Sequence, residues 1–408
     1  MRVLLSTYGT RGDVEPLVAL AVQLQALGAQ VRMCTPPDEE FTDRLAGLGI
    51  DAVPVGPPIR ALMRGTTPPS PAELSRYRTE LLDAQFDVLP SAAEGCDALV
   101  VAGLAQVAAR SVAEAAGIPY VYVTYSAVNL PSPHHAPPPR PGWPEPADAD
   151  NETRWELDAQ RVDAQFREPL NGHRAALGLP PVAGVRDHVY SDQPWIAADP
   201  VLGPWPGGRG LEAVQTGAWT LVDERPLPAD LVAFLAAGPP PVYVGFGSIS
   251  PAPDIARWAV EVSRAGGHRV LVSRGWADLD LVHGQDDCFA IGDVNHQRLF
   301  RELAAVIHHG GAGTTQTAAR AGVPQVVVPI RLADNPYWAG QVAARQVGAA
   351  LDGPTATIES LTAAFETALA PGTRDRAKAL GAEIRTDGAT VAARLLLDSL
   401  GPAPHGVR

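Results

Sequence analysis

The residues best suited to chemistry form the run His309-Gly310-Gly311-Ala312-Gly313-Thr314-Thr315. This run follows an apolar stretch at 304–307 and precedes a helix-like stretch at 316–321. A glycine loop between a strand and a helix N-terminus presents backbone N–H groups, and the helix dipole adds partial positive charge there. Glycines let the chain approach a phosphate closely, while the imidazole and the two hydroxyls add donors. The pattern predicts a loop that binds a diphosphate.

A second polar turn, Gly9-Thr10-Arg11-Gly12-Asp13, follows the first apolar run of the chain. Arg11 carries a planar fork of donors that suits a phosphate. Asp13 stands where the N-cap of the first helix is expected, and aspartate is a favoured N-cap residue. Under that assignment Pro16 occupies the third helical position and has no N–H to offer, which leaves the carboxylate freer to face a cleft. Asp13 is therefore either a helix cap or a catalytic acid or base.

Further polar groups follow other strands of the second half. The turn Gly245-Phe246-Gly247-Ser248 lacks the third glycine and the acidic ribose partner of a dinucleotide fingerprint, which disfavours nicotinamide chemistry. Trp276 either stacks on a base or packs against the protein. The pair Asp334-Asn335 either caps the next helix or holds vicinal hydroxyls of a sugar. Several such loops at one sheet favour a nucleotide site.

Metal chemistry finds little support in the sequence. His308 and His309 are adjacent on a predicted strand, so their side chains point to opposite faces. No Cys or His lies at ligand spacing from them, and the three cysteines are far apart along the chain. We expect no metal and no other cofactor.

The elements that must position these loops alternate between strand and helix. In the first half, strands are predicted at 2–7, 31–34, 98–102 and 119–124, and helices at 14–27, 37–48 and 105–116. In the second half, strands are predicted at 241–244, 269–273, 288–291, 304–307 and 325–329, and helices at 255–266, 336–347, 358–369, 374–384 and 389–400. Such alternation predicts an α/β fold with two Rossmann-like, doubly wound parallel-sheet domains. Ligands bind beyond the carboxyl ends of such strands, so the two halves would face one cleft.

Three Pro-rich stretches interrupt the alternation. Those at 53–71 and 131–146 are too long for tight connections and are either disordered loops or walls of a substrate site. The stretch at 201–225 predicts a linker. The expected domains are therefore 1–200 and 226–385.

Composition excludes several classes of partner. The chain has 408 residues and a net charge of -13, which argues against nucleic acid or an acidic membrane surface. No apolar run approaches the roughly 20 residues of a membrane span, and the N-terminus does not resemble a signal peptide. We expect a cytoplasmic protein and a monomer.

The motifs together resemble those of GT-B glycosyltransferases, in particular the actinobacterial enzymes that decorate glycopeptide antibiotics of the vancomycin and teicoplanin class. The similarity covers nearly the whole chain and weakens in the first two Pro-rich stretches. It rests on residues 1–17, 240–248, 273–278 and 308–315.

This resemblance implies a role for each candidate residue. The first half would bind the acceptor aglycone, the second half would bind a nucleotide sugar, and a last helix at 386–408 would return to the first half. Asp13 matches the general base of the family, and Asp334 matches the residue that holds sugar hydroxyls. Asn335 stands where many relatives carry Gln. Positions matching the diphosphate site are Thr10, Arg11, Ser248, His309, Gly311, Gly313 and Thr314. Positions matching the nucleoside site are Trp276 and Val294.

The implied reaction is an inverting sugar transfer. Asp13 would draw a proton from an acceptor hydroxyl while the nucleoside diphosphate leaves, and preorganised donors would stabilise the leaving group. A UDP-hexose or UDP-N-acetylhexosamine is the favoured donor, and a dTDP-deoxyaminosugar is the alternative. A sugar-nucleotide epimerase, a glycan phosphorylase and a catalytically silent sugar-nucleotide binder remain competing interpretations.

Overall fold

The computed structural model describes residues 1–63, 70–140, 143, 146, 148–208, 210–247, 253–274 and 286–401. Within these ranges the strands form two parallel sheets, one of seven strands and one of six. The predicted α/β fold with two doubly wound sheets is confirmed.

The first sheet has the order β3-β2-β1-β4-β5-β6-β7. Its strands are β1 Arg2–Thr7, β2 Gln30–Thr35, β3 Asp51–Pro54, β4 Ala98–Ala102, β5 Tyr120–Thr124, β6 Trp195–Ile196 and β7 Val214–Gln215. The helices of this half are α1 Arg11–Ala26, α2 Glu39–Gly47, α3 Ile59–Met63, α4 Pro71–Ala93, α5 Ala109–Ala116, α6 Asn151–Ala176 and α7 Val185–Val189, and a 3-10 turn spans Ala127–Asn129. Strand order reverses between β1 and β4, so the turn after β1 opens at a topological switch point.

The second sheet repeats this plan. Its strands are β8 Val242–Gly245, β9 Val270–Ser273, β10 Cys288–Ile291, β11 Ala305–His308, β12 Gln325–Val327 and β13 Gly348–Ala350, in the order β10-β9-β8-β11-β12-β13. The helices are α8 Ala229–Ala236, α9 Pro253–Ala265, α10 His296–Leu299, α11 Ala312–Ala321, α12 Asn335–Ala344, α13 Ile358–Leu369, α14 Pro371–Glu383 and α15 Gly388–Leu400, with 3-10 turns at Phe300–Glu302 and Gly353–Thr355. The switch point lies between β8 and β11, where the glycine loops after both strands open.

Most of the predicted sheet-flanking elements are present, and the differences have local causes. The first helix begins at Arg11 rather than at residue 14, and α11 begins at Ala312, so the glycine run forms its first turn. The sequence did not predict β3, α4 or α6. Helices α4 and α6 contain the prolines Pro90 and Pro169, and α6 is strongly polar, so neither shows a clear apolar period.

Both ends of the second half contact the first. Strand β7 lies inside the expected linker 201–225 and pairs in parallel with β6, so this part of the linker extends the first sheet. Helix α15 packs its apolar face on α1, where the Thr390 hydroxyl donates to Gln23 Oε1 at 2.9 Å. At 0% exposure, Asp199 accepts from the backbone N–H of Arg385 at 2.8 Å, and its own N–H donates to Gln316 Oε1 at 2.9 Å. These contacts join the two halves of the protein.

Candidate functional site

In the turn after β1, the Asp13 carboxylate takes part in the helix cap, but from a different position in the helix than the one predicted. Thr10, in extended conformation, is the N-cap of α1, and Asp13 is the third helical residue. The Asp13 carboxylate accepts the N–H of Thr10 at 2.8 Å, as in a capping box. The assignment of Asp13 as N-cap was therefore wrong, and so was the placing of Pro16 at the third position. The carboxylate is oriented by the cap instead of being left free by it.

Two residues that the sequence did not single out fix this geometry. A Cβ added at Gly9 would lie 2.1 Å from Asp13 Oδ2, so only glycine admits the carboxylate at this place. Tyr125, just after β5, donates its hydroxyl to the Asp13 backbone carbonyl at 2.7 Å. The motif contained Gly9, but only the fold reveals what its missing side chain makes room for.

The Asp13 carboxyl has an unusual affinity for protons. It keeps some solvent exposure, yet the surrounding protein desolvates it and raises its pKa to about 6. The bond from the Thr10 N–H acts in the opposite direction, and the negative charge of Asp334 raises the pKa further. Asp334 belongs to the second half, so this coupling indicates that the two predicted carboxylates lie close enough to interact electrostatically.

The loop between β12 and α12 carries the second carboxylate. Asp334 is the N-cap of α12, and Trp338 Nε1 donates to its Oδ2 at 2.8 Å. Burial raises the Asp334 pKa to about 6, and this indole hydrogen bond opposes the shift. Asn335 is 4% exposed, and its Nδ2 has no hydrogen-bond partner among the described residues. The Asp334 side chain makes no capping hydrogen bond, so the structure does not support the capping interpretation of this carboxylate, and the sugar-binding interpretation stays open.

The two adjacent histidines have different surroundings, as their alternation on β11 predicts. His308 is fully buried: its Nδ1 accepts the Gly310 N–H at 3.1 Å, which leaves Nε2 protonated to donate to Gln325 Oε1 at 2.9 Å. Burial lowers the His308 pKa to about 3. Both of its nitrogens are occupied, so its role is to hold the loop.

His309 points toward the glycine loops instead. It is 8% exposed, and its Nδ1 has no partner in the parts of the chain that the structure describes. A Cβ at Gly311 would lie 2.6 Å from His309 Nε2, and one at Gly247 would lie 3.0 Å from Cε1. Burial lowers the His309 pKa to about 4, so the ring is neutral at pH 7. The ring can therefore offer a neutral N–H donor.

The other diphosphate candidates on this loop lie at the start of α11. Gly311 is its N-cap, Gly313 is exposed and Thr314 is half-buried. The first N–H groups of a helix have no partner within it, so those of the first turn can donate to a ligand at this end of α11. Thr315 differs, because it is fully buried and its hydroxyl donates to the Gly311 carbonyl at 2.9 Å.

Arg11 reaches across to the second half. Its guanidinium lies 3.0 Å from Glu40 and 3.2 Å from Asp293, the residue before Val294. Val294 itself is 8% exposed and packs in the core of the second half, so any contact with a base would fall to its backbone. The predicted positions Ser248 and Trp276 lie outside the described residues.

The two halves also meet through the Pro-rich stretch at 131–146. The Ala333 N–H donates to the Pro139 carbonyl at 3.3 Å, and Ala333 holds a φ of 50°. This bond places the stretch directly beside Asp334. Of its two interpretations, a wall of the cleft is the one that the contact favours. Within the described ranges no group of three or more metal-ligating side chains comes together.

Comparison with known proteins identifies the family. Residues 3–130 match the glycosyltransferase family 28 N-terminal domain, and residues 280–392 match the erythromycin biosynthesis protein CIII-like C-terminal domain. Glycosyltransferase GtfE of Amycolatopsis orientalis is 55% identical over 98% of both chains. The protein belongs to the glycopeptide-antibiotic family of GT-B glycosyltransferases. Two further relatives from the same organism are the vancomycin aglycone glucosyltransferase, 54% identical, and a dTDP-epi-vancosaminyltransferase, 51% identical, each over 98% of both chains.

Solved structures agree with this family in fold. The glycotransferase of kitacinnamycin superposes on this glycosyltransferase with a TM-score of 0.74 at 19% identity, covering 98% of this chain and 99% of the other. Glycosyltransferase VinC, solved in complex with dTDP, gives a TM-score of 0.66 at 19% identity over 98% and 99% of the two chains. The GT-B architecture is therefore shared well beyond the range of close sequence similarity.

Proposed function

We propose that this glycosyltransferase moves a sugar, with inversion, from a nucleoside diphosphate sugar to a hydroxyl of a glycopeptide-antibiotic aglycone. Asp13 acts as the general base, and the glycine loop at His309 receives the leaving diphosphate. One observation carries the proposal: Asp13 is a desolvated carboxyl with a pKa of about 6 that interacts electrostatically with Asp334 of the other half, and the neighbouring Asn335 carbonyl lies against Gly310 of the glycine loop.

The pKa of Asp13 suits the base that this reaction needs. A general base works best when its pKa lies near the operating pH, because it is then both ionised and able to accept a proton. At about 6 the Asp13 pKa leaves the carboxylate mostly ionised at pH 7 and more basic than an ordinary aspartate. The bond from Thr10 fixes one oxygen, so the other is available to the acceptor hydroxyl.

Leaving-group stabilisation comes from donors that are arranged before substrate binds. The first-turn amides of α11, the Thr314 hydroxyl and the neutral His309 ring belong to this loop. Arg11 pairs with Glu40 and Asp293 and would exchange these carboxylates for the diphosphate when the donor binds. Fixed donors of this kind stabilise developing negative charge without reorganising during the reaction. They supply this stabilisation without a metal ion, and we keep the metal-free mechanism as part of the proposal.

The donor sugar follows from weaker observations. We favour a UDP-hexose or UDP-N-acetylhexosamine, since the pair Asp334-Asn335 offers both acceptors and donors to vicinal hydroxyls. A dTDP-deoxyaminosugar is the second candidate. A dTDP-epi-vancosaminyltransferase is 51% identical to this chain and a glucosyltransferase is 54% identical, and these identities are too similar to distinguish between the two kinds of donor. A glycopeptide acceptor is supported by the relative that is named vancomycin aglycone glucosyltransferase.

A screen by mass spectrometry tests donor and acceptor together. A glycopeptide aglycone and its monoglycosylated form are each incubated with UDP-glucose, UDP-N-acetylglucosamine and dTDP-deoxysugars. We expect one donor to add a single sugar mass to one acceptor. Free sugar released without acceptor would instead indicate a hydrolase-like or epimerase-like activity, and no product from any pair would refute the acceptor assignment.

The role of Asp13 is tested by Asp13→Asn, which keeps the oxygen that accepts from Thr10. We expect kcat to fall by about 10²–10⁴-fold while donor affinity is retained. Glu15→Gln is the matched control, because Glu15 lies in the same helix and pairs with Arg44 away from the reaction. Near wild-type transfer by a folded Asp13→Asn variant would show that another group is the base.

We infer that the enzyme is a cytoplasmic monomer that binds neither nucleic acid nor membrane. Of the helices that the structure describes, none is both long and apolar enough to cross a bilayer. Gel filtration coupled to light scattering measures the oligomeric state directly.

A further inference from the structure

The first half contains a cationic cluster that the proposed reaction does not use. It comprises Arg78 of α4, Arg161 and Gln165 of α6, Arg140 and Trp143, and we call it the Trp143 cluster. The three guanidinium carbons lie 5.8, 5.8 and 5.1 Å from the Trp143 ring centroid for Arg78, Arg161 and Arg140, respectively. Such a concentration of positive charge is unexpected in a chain of net charge -13.

Arg78 and Gln165 form the part of the cluster with unused binding capacity. Arg78 Nη1 donates to Gln165 Oε1 at 3.0 Å, which fixes the orientation of the amide. The other end of that amide, Nε2, is buried and has no hydrogen-bond partner among the residues described. A buried donor without a partner costs free energy that a ligand oxygen would recover.

Among the residues that the structure describes, no acidic side chain pairs with Arg78. Its hydrogen-bond partner is the neutral amide of Gln165. Arg140, in contrast, makes two bonds to Asp158, at 2.7 and 3.1 Å. Burial lowers the pKa of Arg78, and the positive charge of Arg140 lowers it further. A half-buried guanidinium under repulsion from a second one is stabilised by an anion, and its planar fork matches a carboxylate.

The cluster borders the acceptor side of the cleft. One cavity between the Pro-rich stretch and α6 is lined by Arg140, Trp143 and Arg161 of the cluster, together with Pro139 and Asp158. Arg78 and Gln165 do not line this cavity and adjoin it through the Trp143 ring, over which Arg78 lies. The Pro139 carbonyl accepts from Ala333, the residue before Asp334. A ligand in this cavity would therefore lie against the wall that contacts the loop of the proposed donor site.

We propose that the Arg78 guanidinium and the Gln165 amide bind a carboxylate of the acceptor molecule against the ring of Trp143. The enzyme then selects acceptors that carry a free carboxylate at a fixed distance from the hydroxyl that receives the sugar. This proposal rests on the acceptor-binding role proposed for the first half. It assigns the acceptor a second point of attachment, remote from the reacting atoms.

The test compares a glycopeptide aglycone bearing a free carboxylate with the same aglycone converted to its neutral methylamide. For the wild-type enzyme we expect amidation to raise the acceptor KM about tenfold or more, with kcat and the donor KM little changed. Arg78→Ala should raise the KM of the acid by a similar factor and abolish the difference between acid and amide. Arg78→Lys should restore part of the discrimination, since it restores the charge without the fork.

Arg76→Ala is the matched control. Arg76 lies on the same helix, its side chain is 71% exposed, and it pairs with Glu80. This variant should discriminate as the wild type does. Thermal unfolding of each variant checks its fold, and Gln165→Leu provides a second route if Arg78→Ala does not fold, with the same expected loss of preference for the acid.

Calorimetric binding of the acid and the amide in the presence of UDP separates this proposal from the proposed function. Equal binding of both forms by the wild type, or preference for the acid retained by Arg78→Ala, would overturn the carboxylate subsite while leaving the transferase intact. Binding of neither form, with sugar transferred to acceptors of another class, would refute the glycopeptide assignment and this subsite with it.

Discussion

Replacing Gly9 by alanine is the sharpest perturbation that the structure suggests. The new Cβ would lie 2.1 Å from Asp13 Oδ2 and 2.4 Å from its Cγ, whereas ordinary contacts begin at 3.4 Å. The carboxylate must therefore retreat by 3.4 − 2.1 = 1.3 Å, or the turn must open. Either movement breaks the bond from Thr10 that orients the base.

The size of the effect follows from that displacement. Moving a catalytic group by about 1 Å costs about 10²-fold in rate, so we expect kcat of Gly9→Ala to fall by at least that factor. Donor affinity should change much less, because the diphosphate loop belongs to the other half. The assay is steady-state transfer at saturating donor, with donor binding measured by calorimetry and the fold checked by thermal unfolding.

Two comparisons make the result interpretable. Gly12→Ala is the matched control in the same turn, because its Cβ would meet only Thr10 Oγ1 at an ordinary 3.7 Å. Exposed substitutions of this kind change stability by at most about 0.5 kcal/mol, and since no atom of Asp13 is displaced, kcat should stay close to that of the wild type. In an Asp13→Ala background the carboxylate clash is gone, while the positive φ of 157° and the 3.0 Å contact with the Cβ of residue 13 persist. Gly9→Ala should therefore lower kcat by a smaller factor in that background. A folded Gly9→Ala enzyme with wild-type kcat, or one equally impaired in that background, would refute the reasoning.

Two further predictions concern charge in the cleft. Loss of ionised Asp13 should make kcat/KM fall as pH drops through about 6, and Asp334→Asn should move this limb to lower pH because it removes a negative charge that raises the Asp13 pKa; a profile measured from pH 5 to 8 that is unmoved or shifted upward would contradict the coupling. His309→Ala should weaken donor binding and lower kcat, each by about tenfold to a hundredfold, because a hydrogen bond to a charged phosphate is lost. Since the His309 pKa is lowered to about 4, these losses should be constant between pH 6 and 8, and unchanged donor kinetics would remove His309 from the diphosphate site.

Much of the fold could be predicted because the sheet-flanking elements carry clear periodicity. The strands at 98–102 and 288–291 and the helix at 358–369 have the predicted limits in the structure. Helices α4 and α6 were not predicted, since their internal prolines and polar surfaces obscure the apolar periodicity. The Trp143 cluster could not be predicted either, because α4 and α6 supply three of its five members.

The candidate site, like the fold, could be predicted only in part. Loop motifs indicated Asp13, His309 and Asp334 from residue type and local spacing alone. The cap of α1 was assigned to the wrong residue, because Thr10 and Asp13 both favour N-terminal positions and only the backbone of the turn decides between them. The neutral state of His309 could not be predicted from the sequence, since desolvation depends on neighbours that are distant in the chain.

The sequence by itself determined the strand–glycine loop–helix units, because these depend on backbone freedom, propensity and spacing within a few residues. Only the tertiary structure decided what those units do together. It brought Asp13 within electrostatic reach of Asp334, filled the space beside Gly9 with a carboxylate, and left His309 neutral. Each of these outcomes depends on proximity and burial, which arise when segments hundreds of residues apart pack against one another and exclude water.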